Sequence, residues 1–146
     1  MKYKYYLIII IFLLFNPLIA GSEQFRCAAD KTTGFRYNGN SKIWEITEFI
    51  SENKFIITKS DKNGYSYKIV KSGEKEPSCL CKGEFNDHGY LFCKGYYGTE
   101  FRFNKNNGRY IFSFLMAYYN VLPNINQLTD KDSDTPYMEI GKCSPF

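Results

Sequence analysis

Short runs of alternating apolar and polar residues make up most of the chain after residue 22. Phe55 and Ile57 share one face of such a run, and Phe101 and Phe103 share one face of another; residues 44–47 and 65–70 alternate in the same way. Alternation with one apolar face is typical of antiparallel strands that water reaches on one side. Turn sequences rich in Asn, Asp and Gly separate the runs and predict tight connections at 38–40, 51–53, 61–64, 86–89, 97–98 and 104–108.

The longest apolar stretch after residue 22, residues 109–121, carries apolar side chains on both faces of a strand. This pattern predicts a central strand that is covered on both sides, with a short helix over 112–120 as the alternative. Residues 122–135 lack alternation and predict a long loop, and 137–143 predict a last strand. We therefore expect an all-β fold, a single antiparallel meander of about eight to nine short strands that forms a small up-and-down barrel or a sandwich.

The first 22 residues have the three-part layout of a secretory signal peptide. Lys2 and Lys4 precede an apolar run over 7–15, and small residues follow up to Ser22. We predict cleavage after Ser22, with cleavage after Ala20 as the alternative, so that residues 23–146 form a single β-rich domain. Retention as a membrane anchor is less favoured because a spanning helix needs roughly 20 apolar residues. A lipoprotein would carry cysteine where this chain has Ser22.

Net charge and aromatic content indicate which kinds of partner the chain is suited to bind. Two of the 19 basic residues and none of the 15 acidic residues lie in the leader, so the net charge falls from +4 to +2 on its removal. So small an excess, without clustered Lys and Arg, does not predict nucleic-acid binding. The 13 Tyr and 13 Phe favour strands and an aromatic core, with a ligand-stacking surface as the alternative.

Five cysteines follow the leader, and an exported protein is expected to pair an even subset of them. They are Cys27, Cys79, Cys81, Cys93 and Cys143. Cys79 and Cys81 fall on the same face of one strand, where a mutual bond would be strained. Cys81 and Cys93 lie symmetrically about the turn at 86–89, so a hairpin there predicts the pair Cys81–Cys93.

The remaining cysteines leave two arrangements open. Cys27 and Cys143 begin and end the domain, and their bond would tie the first strand to the last, as a closed barrel requires. Cys79 is then the free thiol. If Cys27 pairs with Cys79 instead, Cys143 is free. The fold is expected to be held by disulfides in either case.

Other candidate chemistry in the sequence is weak. Asp130, Asp132 and Asp134 have the spacing of a calcium loop, but Thr135 and Gly141 stand where that loop needs Gly and Glu. His88, which is the only histidine, is the sole imidazole that could activate a cysteine, and it lies in a polar turn. We therefore predict no metal site, no cofactor and no catalytic residues.

Several segments of the domain resemble a group of small exported proteins of bacteria and their phages, which are known mostly as hypothetical proteins. The resemblance is carried by Cys27 with 33–37 and 42–44, by Phe49, by 101–104, and by 134–143. It covers most of residues 23–146. It implies a bacterial origin and a secreted or periplasmic product, places the Cys143 segment inside the domain, and implies no activity.

We expect a non-enzymatic protein that binds a protein partner of unknown identity; an inhibitor or an immunity-type protein would fit. This expectation rests on export, disulfides, an aromatic β framework and the lack of a catalytic motif. One alternative is a carrier that holds a small apolar ligand inside a barrel. The other is an enzyme whose carboxylates meet only in the fold. We expect no nucleic-acid partner, and membrane association only through an uncleaved leader; the oligomeric state is left open.

Overall fold

The computed structural model describes residues 23–118, 130 and 135–146. Nine antiparallel strands in this part of the chain form one sheet. The sheet closes into an eight-stranded barrel because β1 pairs with both β3 and β9, while β2 pairs with β1 outside the closed ring. The strands are β1 (Phe25–Asn38), β2 (Ile43–Phe49), β3 (Lys54–Lys59), β4 (Tyr67–Lys71), β5 (Cys79–Cys81), β6 (Tyr90–Lys94), β7 (Thr99–Asn104), β8 (Arg109–Phe114) and β9 (Tyr137–Pro145).

The structure confirms the all-β antiparallel fold and realises the barrel rather than the sandwich. Closure occurs in register between the ends of the domain, where Cys27 of β1 lies opposite Cys143 of β9. Since a closed ring leaves no strand of the ring with an unpaired edge, closure protects these short strands from pairing with other chains. Among the described residues, no helix is long and apolar enough to cross a membrane.

The long strand β1 has two different neighbours along one edge. Its first residues, up to Ala28, pair with β3, and its later residues pair with β2, while β9 occupies the opposite edge as far as Gly34. A register shift between Ala29 and Lys31 marks a bulge between the two parts. The β1–β2 hairpin therefore extends beyond the ring from the pair Phe35–Ile46, and we call residues 35–46 the hairpin arm.

Side chains fill the barrel interior. Every second residue of the ring strands points inward, and most of these residues are aromatic or aliphatic. The rings of Phe101 and Tyr110 stack with centroids 4.9 Å apart, and Phe25 meets Phe103 edge-on at 4.8 Å. The inward set also includes Phe55, Ile57, Tyr67, Ile69, Leu91 and Phe112. A ring of eight strands is just wide enough for such packing.

Two disulfides join strands that are neighbours in the barrel. Cys81 bonds to Cys93, as their spacing about the turn at 86–89 predicts. Cys27 bonds to Cys143, which is one of the two arrangements that the sequence leaves open, and Cys79 is the free thiol. The Cys81–Cys93 bond lies at the weakest seam of the sheet, since β5 and β6 share only one paired position. Two buried disulfides in one small domain indicate an oxidising compartment.

The prediction for residues 109–121 was wrong in extent and in burial. The strand β8 ends at Phe114, and a short 3-10 turn, Met116–Tyr118, follows. Ile111 and Leu115 are exposed, whereas Tyr110 and Phe112 are buried. A barrel made of one sheet has one interior, so the alternate residues of each strand face outward even when they are apolar. The predicted signal peptide, and the loop 122–135 apart from residues 130 and 135, lie outside the described residues.

Candidate functional site

Five large apolar side chains point outward from three strands on one side of the barrel. They belong to β6, β8 and β9, and each is between 43% and 57% exposed. We call this set the apolar wall: Tyr90, Phe92, Ile111, Met138 and Ile140. Soluble domains rarely leave contiguous apolar surface exposed without a binding role. The apolar wall is therefore the first candidate site.

Strand register makes the apolar wall continuous. Phe92 lies opposite Arg102 of β7, Arg102 lies opposite Ile111, and Ile111 lies opposite Ile140. The rings of Tyr90 and Phe92 stack with centroids 6.1 Å apart at one end of this row. The aliphatic stem of Arg102 bridges the two apolar halves, since a long basic side chain can cover apolar surface and keep its charge in water.

Basic groups border the apolar wall. Arg109 of β8 lies directly opposite Lys142 of β9, in the row next to Ile111 and Ile140. Neither residue forms an ion pair with another residue in the described part of the chain, whereas Arg102 pairs with Glu100 at 2.7 Å. A groove of about 650 Å³ runs over this region, and Asp30 is the acidic residue that lines it. Two like charges side by side favour an acidic group on whatever binds there.

A second groove, of about 680 Å³, continues from the apolar wall across the seam between β5 and β6. The two grooves share Phe92 and Arg102. Leu80 and Tyr96 add apolar surface in the second groove, and Lys82 and Lys94 are among its charged lining residues. The outer side of the barrel from β5 to β9 is therefore one extended surface with apolar residues in the middle and charged residues around it. The second groove also carries Glu76 and Glu100, which pair with Lys62 and Arg102, so the cations of this surface that lack an ion-pair partner among the described residues include Arg109 and Lys142.

A buried polar cluster inside the barrel is the second candidate site. The Glu139 side chain is fully buried and accepts three hydrogen bonds: from the Tyr110 hydroxyl at 2.8 Å, from Asn53 Nδ2 at 2.6 Å and from Thr32 Oγ1 at 3.1 Å. The Ser51 hydroxyl in turn donates to Thr32 Oγ1 at 2.9 Å. These donors, rather than a cation, hold the carboxylate, since no described Lys or Arg forms an ion pair with it.

Burial and the Glu139 carboxylate keep the neighbouring phenols protonated. The pKa of Tyr110 is raised well above its ordinary value by burial, and further by its hydrogen bond to Glu139. The pKa of Tyr137 is also raised, by burial first and by the charge of Glu139 second. A carboxylate whose oxygens are already engaged by fixed donors is poorly placed to accept a proton from a substrate. The cluster therefore joins β1, β8, β9 and the end of the β2–β3 connection through hydrogen bonds.

Glu139 is absent from the candidate residues predicted above, although the spacing along β9 carries a signal for it. Strand residues two apart share a face, so the inward side chain of Cys143 places Gly141, Glu139 and Tyr137 on the same inward face. The predicted Cys27–Cys143 bond thus required a buried carboxylate in the last strand. The outward apolar residues of the apolar wall were not predicted for another reason. An apolar residue in a sequence is normally assigned to the core, so its exposure on the outer face has no sequence signal.

The cysteine, histidine and aspartates that the sequence offers as candidate catalytic or metal-binding residues do not come together in the described part of the chain. Cys79 is 1% exposed inside the barrel, and burial raises the pKa of its thiol to about 12. His88 lies exposed in the connection between β5 and β6, so it does not activate that buried thiol. Asp130 is exposed, while Asp132 and Asp134 lie outside the described residues. Within the described ranges, no group of three or more His, Cys, Asp or Glu side chains could hold a metal ion.

Comparison of the chain with protein families, with curated proteins and with solved structures finds no match.

Proposed function

We propose that this chain is an exported interaction protein that binds a protein partner through the apolar wall. The observation that carries the proposal is the outward, contiguous placement of five large apolar side chains on three strands. The predicted signal peptide 1–22 would deliver residues 23–146 to the periplasm or the medium. The two disulfides agree with such a compartment. An inhibitor or immunity-type role fits a rigid, non-catalytic binding domain.

The border of the apolar wall specifies the chemistry of the partner. Arg109 and Lys142 lie side by side without a described acidic neighbour in ion-pair contact, and Lys94 lines the adjoining groove. We expect a partner with an apolar centre and acidic side chains at its rim. Complementary charge at a rim raises the association rate and makes binding sensitive to salt.

The carrier alternative is less favoured by the packing of the interior. A carrier of an apolar ligand needs a cavity inside the barrel, typically of several hundred cubic ångströms. In the described part of the chain, Phe55, Phe101, Tyr110 and Phe112 occupy that space with ring centroids 4.9–6.4 Å apart. Two grooves of about 650 and 680 Å³ lie on the outer side over the apolar wall.

Affinity capture with a matched pair of variants tests the proposal. Ile111→Asp places a charge in the middle of the apolar wall, and Ile50→Asp places the same charge on an apolar residue that is 85% exposed and lies away from it. Both variants and the parent protein, starting at Glu23 and with disulfides intact, are used to capture proteins from an envelope extract of the source organism. Mass spectrometry identifies what each one retains.

The proposal expects one protein that the parent and Ile50→Asp retain and that Ile111→Asp loses. Retention should weaken steeply as salt is raised, because the border of the apolar wall is charged. Retention of the same proteins by all three, or of lipid alone by the parent, overturns the proposal. Circular dichroism of the two variants checks that both keep the β-sheet spectrum.

A further inference from the structure

The strand β2 lies at the open end of the sheet. It pairs with β1 along one edge, and no described residue pairs with its other edge. Ile46 and Ile43 point to opposite faces of this strand and are 81% and 55% exposed. A long apolar edge strand is a template for pairing with another strand, and proteins usually shorten, bend or cover such edges. This edge lies outside the barrel ring, and Ile46 lines a groove of about 660 Å³ that also reaches Met138 at the end of the apolar wall.

The sequence of β2 suits antiparallel pairing with its own copy. With Ile46 on a twofold axis, all seven residues from Ile43 to Phe49 find a partner. Ile46 then faces Ile46 of the copy, and Ile43 faces Phe49, which gives apolar cross-strand pairs of the kind that stabilise sheets. Such a contact uses the same surface on both chains, as a closed dimer requires.

The charges on β2 select this register over its neighbours. In the Ile46-centred register, Glu45 faces Thr47 of the copy and Glu48 faces Trp44, so no two carboxylates face each other. A shift of the axis to Glu45 places Glu45 opposite itself, and like charges directly opposite are destabilising. A shift to Thr47 removes two positions of overlap. Within each chain, Arg36 lies opposite Glu45 across the β1–β2 pair, and the Glu45 carboxylate accepts hydrogen bonds from Asn38 Nδ2 and the Ser41 hydroxyl.

We propose that two copies of this chain pair through the outer edges of β2, antiparallel and centred on Ile46, to form a symmetric dimer. The contact joins two hairpin arms, so the two barrels lie at opposite ends of the assembly. A seven-residue strand pair is small beside standard protein interfaces. The dimer therefore forms as the protein concentration is raised, rather than being permanent.

Cysteine cross-linking tests the register. Ile46→Cys places the two thiols opposite each other at a cross-strand distance of about 5 Å between Cβ atoms, close enough for a disulfide. Ile50→Cys, an equally exposed control, places each thiol four residues from the axis, so that the two lie roughly 26 Å apart. The native Cys79 does not compete, because it is buried.

Each variant is oxidised mildly over a concentration series, and the covalent dimer is measured on non-reducing gels. The proposal expects Ile46→Cys to form the dimer several-fold faster than Ile50→Cys, with a rate that rises with concentration. Equal rates for the two variants, or no covalent dimer from Ile46→Cys, overturn it.

Sedimentation of variants without added cysteines gives a second readout. The parent protein should shift from monomer towards dimer mass as its concentration rises, and Ile46→Lys, which places two like charges on the axis, should stay monomeric. Ile111→Asp should sediment like the parent, because the apolar wall lies on other strands. A parent protein that stays monomeric throughout, or an Ile46→Lys variant that dimerises like it, contradicts the proposed contact.

Discussion

Removal of the Cys27–Cys143 disulfide should destabilise the protein more than removal of Cys81–Cys93. The first bond closes a loop with a sequence separation of 116, and the second closes one with a separation of 12. In the chain-entropy treatment, loops of these lengths correspond to about 5 and about 3 kcal/mol of stabilisation. The expected difference in the free energy of unfolding is therefore about 2 kcal/mol.

The difference in stability between the two variants reports the loop-closure entropy, because the two disulfides have similar surroundings. All four cysteines are buried in the core cluster, and replacement of each pair by two alanines removes the same atoms. The cost of lost packing is then expected to be similar in the two variants. The assay is equilibrium unfolding in urea of C27A/C143A and C81A/C93A, both carrying Cys79→Ala so that no free thiol can exchange with the remaining bond.

An equal loss of stability in the two variants, or a larger loss in C81A/C93A, would refute this reasoning. The second result would have a specific meaning, because β5 and β6 share only one paired position, Leu80 with Lys94. It would show that the short-loop disulfide acts by holding that seam closed in the folded state, and not mainly by restricting the unfolded chain.

Three further predictions concern the interior and the strand contacts. Glu139→Leu leaves three donors without their acceptor, of which those of Thr32 and Tyr110 are buried and that of Asn53 is part-buried, and should cost at least about 3 kcal/mol of stability in urea unfolding. Glu139→Gln, which keeps one acceptor oxygen, should cost clearly less, and equal losses would contradict the hydrogen-bond assignment. Because burial raises the pKa of Cys79 to about 12, the folded state keeps a proton that the unfolded chain loses above pH 9, so stability is complete below pH 9 and should fall by about 1.4 kcal/mol per pH unit above it. The phenols of Tyr67, Tyr110 and Tyr137 add a fall of the same sign as the pH approaches 10, because their pKa values are also raised. Cys79→Ala should therefore make the fall in stability shallower between about pH 8.5 and 9.5 without abolishing it, and an unchanged slope in that window would exclude Cys79 as a source. Gly34→Ala should lower the melting temperature, because a Cβ there would collide with the backbone of Pro136 and Tyr137, whereas Gly39→Ala, with open space around it, should not; equal melting temperatures would argue against this close approach of β1 and β9.

Local alternation was sufficient to predict the strands and their inward residues in most of the domain. Phe55 with Ile57 and Phe101 with Phe103 are buried as their spacing indicates, because side-chain direction along a strand depends only on the residue count. The same count, applied across the turn at 86–89, led to the Cys81–Cys93 pair. In a short hairpin, the number of residues on each side of the turn decides which residues face each other, so spacing in the sequence predicts contacts in space.

Alternation did not predict which face of a strand is buried where that strand pairs with residues that are distant along the chain. Ile111 reads as a core residue in the sequence, yet it faces outward because Tyr110 and Phe112 already occupy the inward positions of β8. Glu139 reads as a solvent-facing charge, yet the pairing of β9 with β1 and β8 turns it inward towards Tyr110 and Thr32. Both differences arise from the closure of the barrel.

The amino-acid sequence by itself determined that this protein is an all-β domain, punctuated by turns, with a disulfide across the turn at 86–89. Those properties depend on residue spacing and on local backbone preference. Which cysteine pairs with Cys27 was decided by the tertiary structure. Only the tertiary structure decided that the sheet closes between β1 and β9, that β2 remains outside the ring, and that the apolar wall and the Glu139 cluster lie on opposite sides of the same strands. Ring closure gives each strand one inner and one outer face, and long-range pairing between the chain ends sets which residues lie on each.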